Sequence, residues 1–425
     1  MNDLISRVAL YIWIVVAAGV GTVLYLGESA AGTAEGGTGI HLVFGFLYLI
    51  FAGLLLLNFR DVLALIIEEK WIFLLWLWAF VSIAWSPLPG TTLRRIVALL
   101  GTTAVGLFFA TRFEPKQQIR IVANCLGLSG LASLVACLYF PAYAILPTGE
   151  WQGAFYQKNG LGRAMALGLV CYTVLAVGNR RGRIFSIVMA VFCGFMLSMS
   201  QSIGAAAFCA MTLVIIVFRK FLVLQARKLM VFGTALLVVA VPAGIYGIQN
   251  ADAILKSVGR EASLTGRIPL WQEVLGEISK HPLNGFGYSA FWYTTEGYLV
   301  QLKLGWVMVH AHNGFLEVTL GLGLIGLALL LIGLTSNMLR GVRVARAGES
   351  IYDFWPLLYL IYAVFANLTE CFFLTANSLY WMLFVASSYW LVRRELEPVT
   401  EEEDDTEPDP EFALGNPIGF TPSKS

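Results

Sequence analysis

The chain has 425 residues, of which 58% are hydrophobic and only 13% charged, with a formal net charge of +1. A water-facing globular domain carries about 25% charged residues, so composition excludes an ordinary soluble fold, and no nucleic-acid partner is expected. Apolar runs of near-spanning length recur up to residue 393, each long enough to cross roughly 30 Å of hydrocarbon as a helix, and they lack the alternation of a membrane β-barrel strand.

The runs predict an all-α, polytopic integral membrane protein of about twelve transmembrane helices. They fall near 8–27, 40–59, 71–86, 93–112, 119–140, 159–178, 184–200, 203–219, 229–249, 314–338, 355–374 and 376–393. The first run is longer than a typical signal-peptide core and more spans follow, so an uncleaved helix is expected. Together they make one membrane domain, 1–394, interrupted by one large loop over 250–313 that carries short helices. Residues 395–425 read as an acidic, disordered tail, with EEEDDTEPDPE at its centre. Without that tail's acids the rest of the chain is clearly basic, with 27 basic and 17 acidic residues. Cys125, Cys137, Cys171, Cys193, Cys209 and Cys371 all lie in apolar runs and read as small hydrophobes.

Short loops rich in Lys and Arg face the cytoplasm. Arg180, Arg181 and Arg183 occupy one connection; Arg219, Lys220, Arg227 and Lys228 another; Arg340, Arg343 and Arg346 a third; and Arg393 and Arg394 follow the last helix. The span count puts all four groups on one side, with both termini cytoplasmic. It also strands other cations on the opposite side. Arg94 and Arg95 open one helix there, Lys158 and Arg163 flank the start of another, and Arg260 and Arg267 lie in the large loop. Cations at a membrane edge against the rule mark a functional site by default; snorkelling to lipid phosphate is the competing reading for any one of them.

Within the large loop, Ser263 or Thr265 is placed to cap a helix in which Trp271, Val274, Leu275 and Ile278 share one apolar face. Tyr288, Phe291, Trp292 and Tyr293 follow a turn at Asn284–Gly287 and suit an interfacial aromatic belt. His310 and His312 precede Asn313, where the tenth helix begins. The HxH spacing invites a metal, but no third ligand stands at a matching spacing. A neutral histidine near arginines has a lowered pKa and can take a proton from a hydroxyl; a purely structural histidine is the plainer alternative.

Five segments carry a resemblance to a known family: AWSPLPGTTLRR at 84–95, GAFYQKNGLGR at 153–163, GREASLTGRIPLW at 259–271, HPLNGFGYSAFW at 281–292 and HAHNGFLEVTLGLGLIG at 310–326. In their order around one large loop, the chain resembles the O-antigen ligase and polysaccharide polymerase superfamily of bacterial inner membranes, most nearly its exopolysaccharide polymerases. The resemblance implies a glycosyltransferase without metal or other cofactor. Its donor is a glycan on undecaprenyl diphosphate at the periplasmic face. Its acceptor is a second repeat unit for a polymerase or a lipid A core sugar for a ligase. Membrane lipid and other polysaccharide assembly proteins are the further partners. Carried over by motif, Arg267 and His312 are the expected catalytic residues. Arg94 or Arg95, Lys158, Asn159, Arg163, Arg260, His310 and Asn313 are expected to bind substrate. The SMSQSIG turn, with Ser198, Ser200, Gln201 and Ser202, departs from the arginine or threonine of related chains. A lipid-linked glycan flippase is the rival class, but transporters hold their charges near the midplane.

Overall fold

A computed structural model describes residues 2–19, 38–225 and 267–396. Among them the chain is helical apart from connections, with one isolated antiparallel bridge between Ile145 and Trp151. Before residue 226 run α1 (Asn2–Ala17), α2 (Thr38–Leu56), α3 (Phe59–Glu68), α4 (Lys70–Val81), α5 (Pro89–Arg112), α6 (Pro115–Tyr139), α7 (Lys158–Gly178), α8 (Arg183–Ser200) and α9 (Ile203–Gln225). From residue 267 run α10 (Arg267–Ile278), α11 (Thr295–Leu304), α12 (Gly314–Ala347), α13 (Ile351–Asn367) and α14 (Leu379–Leu396). Local chemistry sets several starts. Proline opens α5 and α6, where its missing N–H costs nothing. Glu114 and Gln117 form a capping box on α6, and Asn313 accepts the Phe315 and Leu316 amides to cap α12.

Of these helices, α5 to α9 and α12 are long and apolar enough to cross a membrane, and α2 with α3 forms a further candidate bent by 96°. Their outward faces agree: Ile184, Val188 and Val191 on α8, and Val217 and Phe221 on α9, are large, apolar and exposed, a surface suited to lipid. The molecule is an all-α membrane protein. The expected span 229–249, residues 20–27 of the first, most of the 28–39 linker, Arg260 with the rest of 250–266, and the tail from 397 lie outside the described residues.

The expected boundaries need correction in several places: the first helix already begins at Asn2, the span expected over 203–219 continues to Gln225, and the 40–59 span is followed by the unexpected helix Phe59–Glu68. The span expected over 71–86 ends as a helix at Val81, followed by a 3-10 turn over Ser82–Ala84, and the one expected over 314–338 continues to Ala347. The span expected over 355–374 stops at Asn367, whose side-chain oxygen accepts the Phe372 and Phe373 amides at 2.8 and 3.1 Å. That side chain offers the backbone partners outside the helix, which ends it.

The helices alternate in direction and so define two ends. The starts of α5, α7, α9, α12 and α14 lie with the finishes of α6, α8 and α13 at one end, tied by Asn159–Ser202 and Arg163–Glu370. At the opposite end Arg393 pairs with Glu114, and Arg340 with Glu68 and Glu69. Helix α14 is the most enclosed element: Trp381, Met382, Val385, Ala386 and Tyr389 are all buried.

Helix α12 is broken at Gly323, whose φ of 67° is left-handed. A Cβ there would collide with the Leu283 carbonyl, so glycine is required sterically as well as by φ. The freed backbone groups find partners in a neighbouring turn. Leu324 N donates to Pro282 O at 2.8 Å, Phe286 N to Leu320 O at 3.0 Å, and the Trp78 indole to Leu322 O at 2.9 Å. The turn after α10 is thereby locked into the opening in α12.

Candidate functional site

The site lies at the end of the bundle where α7 and α12 begin. Arg163 stands one turn beyond Asn159 on α7, and its Nη1 donates to Glu370 Oε2 at 2.7 Å. The guanidinium also sits 5.7 Å from the Phe372 ring centre, a distance at which a cation is attracted to the ring face. Arg267, the first residue of α10, approaches the other oxygen of Glu370 at 3.9 Å. Glu370, with a side chain only 5% exposed, is thus shared by two guanidinium groups from distant parts of the chain. Its position follows from the early end of α13: the Asn367 cap folds residues 368–378 back over the start of α12, where Asn313 Nδ2 reaches Leu368 O at 3.5 Å.

The two histidines face this cluster. Their rings lie 4.2 Å apart at 72°, and the His312 amide donates to His310 Nδ1 at 3.3 Å. Trp306 lies 5.8 Å from the His312 ring. Burial, with His312, Arg163 and Arg267 around it, pushes His310 from the ordinary 6.5 down to about 3. Burial lowers His312 too; Glu370 opposes the shift, and Arg267 and Arg163 add to it. Both imidazoles are therefore neutral near pH 7. His312 Nδ1 and Arg163 Nε are buried without a hydrogen-bond partner, which is costly unless another group completes them. Among the described residues no group of three His, Cys, Asp or Glu side chains is arranged to hold a metal.

The remaining predicted residues have other partners. Arg95 turns inward: its Nη1 donates to Ser289 Oγ at 2.8 Å and its Nη2 to the Tyr293 hydroxyl at 2.6 Å. Arg94, one residue earlier, is exposed. Lys158 is neutralised by Glu150 at 2.8 Å. Asn159 accepts from Ser202 Oγ at 3.1 Å, so the serine-rich turn does meet the start of α7. Arg163, Arg267, His310, His312 and Asn313 come together.

Glu370 and Phe372 are the members that sequence reasoning missed, because both fell inside an expected helix. A lone carboxylate in the apolar run around TECFFLT was the available signal, since an ionisable group at membrane depth seeks a partner. Tyr293, read as an interfacial anchor, also holds Arg95.

Chemically, the cluster offers two fixed cations, one shared carboxylate and a neutral imidazole with a buried ring nitrogen. Guanidinium groups of this kind suit phosphate oxygens, and a neutral imidazole suits proton removal from a hydroxyl.

Residues 185–331 match the family model described as O-antigen ligase. That stretch contains Arg267, His310, His312 and Asn313. The exopolysaccharide production protein ExoQ of Rhizobium meliloti (strain 1021) is 28% identical over 301 residues, 65% of this chain and 66% of that protein. A protein of Rickettsia bellii (strain RML369-C), provisionally named a polysaccharide ligase, is 24% identical over 266 residues, 60% of this chain and 64% of its own length. A Rickettsia prowazekii (strain Madrid E) protein with the same provisional description is 22% identical over 344 residues, 75% of this chain and 80% of that protein. The chain thus spans slightly less than two thirds of the first two relatives.

Proposed function

We propose that the chain is an O-antigen ligase/ExoQ-like family protein that joins exopolysaccharide repeat units, transferring glycan from undecaprenyl diphosphate at the periplasmic face of a bacterial inner membrane. In this reading the membrane domain crosses about twelve times, both termini are cytoplasmic, and the end of the bundle that carries His312 faces the periplasm. The observation that carries the proposal is the convergence of Arg163 and Arg267 on Glu370 beside a neutral His312.

The step is a substitution at the anomeric carbon of the donor sugar. A hydroxyl oxygen of the acceptor sugar forms the new C–O bond, and its proton passes to an imidazole nitrogen of His312. The bond from the anomeric carbon to the diphosphate oxygen breaks, and the carrier diphosphate leaves with the electron pair. Its growing negative charge is held by Arg163 and Arg267, which can fork two phosphate oxygens each. Glu370 keeps both guanidinium groups in place before the donor arrives. Arg95, held by Ser289 and Tyr293, and Arg260 are assigned assisting roles. His310, whose depressed pKa keeps it uncharged, orients the His312 backbone through its Nδ1. Metal assistance is not required, because fixed guanidinium charge replaces it.

Transfer to a lipid A core sugar is the second reading, favoured by the provisional ligase description of the two Rickettsia relatives. Product analysis in a deletion strain separates the two. Single repeat units left on the carrier support polymerisation. Polymer left on the carrier beside an uncapped lipid A core supports ligation. Normal polymer and normal capping would sink both.

A further inference from the structure

We infer that Glu317 is the positioning residue of this site, holding the backbone of Ala311, so that His312, the helix of Arg267 and the segment that holds Arg95 keep a fixed relation. The inference rests on the reading of His312 as the proton acceptor. Glu317 lies in the first turn of α12. Its Oε2 accepts the Ala311 amide at 2.7 Å, and both its oxygens accept from the Trp292 indole at 3.1 Å. The carbonyl of the same alanine accepts from the Trp271 indole at 3.0 Å. Ala311 is fully buried, so its amide and carbonyl groups are gripped from both sides inside the protein.

Each grip leads to a different part of the site. Trp271 stands one turn after Arg267 on α10, so the Ala311 carbonyl ties that helix to the start of α12. Trp292 precedes Tyr293, whose hydroxyl accepts from Arg95. His312 follows Ala311 directly and has a φ of 51°. A non-glycine residue keeps that left-handed conformation only where its surroundings over-determine it, and Ala311 beside it, held at both its amide and its carbonyl, supplies the constraint.

A carboxylate is the group this geometry calls for. Two N–H donors converge on its oxygens, and a side chain with two acceptor oxygens can take both. Its oxygens are occupied by Ala311 and Trp292, so it acts on the chemistry through His312 rather than by touching the reacting atoms. An acid in a first helical turn also stabilises the helix dipole. That simpler role would change stability and leave His312 unaffected.

The test uses full-length protein with Glu317→Ala, Glu317→Gln and Trp271→Phe. Labelling of His312 by diethyl pyrocarbonate, read by peptide mass spectrometry, is measured beside kcat and KM for transfer. With Glu317→Ala, His312 labelling should rise several-fold and kcat fall by roughly 10²-fold, the loss expected from a displacement of about 1 Å, with KM little changed. Glu317→Gln should restore most of kcat, because an amide oxygen can still accept the Ala311 N–H. Trp271→Phe, which leaves Glu317 intact, should move both readouts in the same direction by less. Unchanged His312 labelling in Glu317→Ala and Trp271→Phe would overturn the inference. So would raised labelling with unchanged kcat, or lowered stability alone. If the wild-type protein transfers no glycan, the proposed function fails while His312 labelling still decides whether Glu317 holds the peptide.

Discussion

At the end of the bundle away from the histidines, Arg340 lies among three carboxylates, Glu68 at 2.9 Å, Glu69 at 3.2 Å and Glu395 at 3.1 Å, and Arg343 shares Glu395 at 2.6 Å. At the histidine end the ratio reverses. Arg163 and Arg267 share one carboxylate, Glu370, and the two neighbouring histidines are held neutral. The first arrangement satisfies its own charge and fastens α3, α4, α12 and α14 together. The second leaves two guanidinium groups on one carboxylate among the described residues, an arrangement that an incoming anion would complement. On the proposed function, the contrast separates cations that hold the protein together from cations kept ready for a ligand.

Substitutions at the two ends should therefore fail differently. His312→Ala should lower the transfer rate by roughly 10²–10⁴-fold, the range for loss of a positioned base, while the purified protein melts at the wild-type temperature. A wild-type rate would remove His312 from the chemistry. Glu69→Ala should do the reverse. Glu69 is fully buried and accepts from Asn337 at 2.9 Å as well as from Arg340, so its loss should destabilise the protein by about 3 kcal/mol. The rate per folded molecule should stay at the wild-type level; a fall would mean that the two ends communicate.

Acid should sharpen the comparison further. His312 has a lowered pKa, so its base form persists as pH falls through 6.5, and the transfer rate should hold level where an exposed histidine base would already be losing activity. Stability moves the other way. Unfolded histidines take protons near 6.5, whereas His310 resists protonation down to about 3. The unfolded state therefore binds more protons in that window, and stability is complete above pH 6.5 and lost progressively as pH falls toward 3. Thermal melts between pH 7.5 and pH 5, run beside rate measurements, should show melting temperature falling before activity does. The smallest effect belongs to Arg343→Ala. That side chain is 61% exposed, so its pair should contribute less than about 1 kcal/mol, and a larger loss would mean that Arg340 depends on it.

The sequence made the long apolar helices readable because lipid-facing and core-facing residues alike must be apolar there. It did not reveal where α13 ends. The run from Ile351 to Leu374 suits a buried loop as well as a helix, and only the Asn367 side chain, folded onto the Phe372 and Phe373 amides, decides between them. Glu370 was lost for the same reason. The adjacent pair Arg94 and Arg95 shows a second limit. Successive helical residues differ by about 100° around the axis, so one must turn inward, but which one depends on the rotational setting of α5 against the 289–293 segment. Lys158 shows a third. Its charge stood out in the sequence, yet Glu150, which neutralises it, comes from a connection whose path the sequence does not fix. His312, Arg267 and Arg163, which the structure brings together, each pair an unusual location with a local motif in the sequence.

The opening in α12 at Gly323 bears on how the chain enters the membrane. A helix that releases backbone groups at that depth is poorly suited to lipid by itself, because hydrocarbon supplies no hydrogen bonds. Its partners are Trp78 and residues 282–286, all of which precede α12 in the chain. During synthesis they are therefore available before the broken helix leaves the ribosome. Insertion of α12 then becomes a joining step rather than a simple partitioning step. Deleting the 282–286 turn should consequently trap the nascent chain at α12, before α13 and α14 can be delivered.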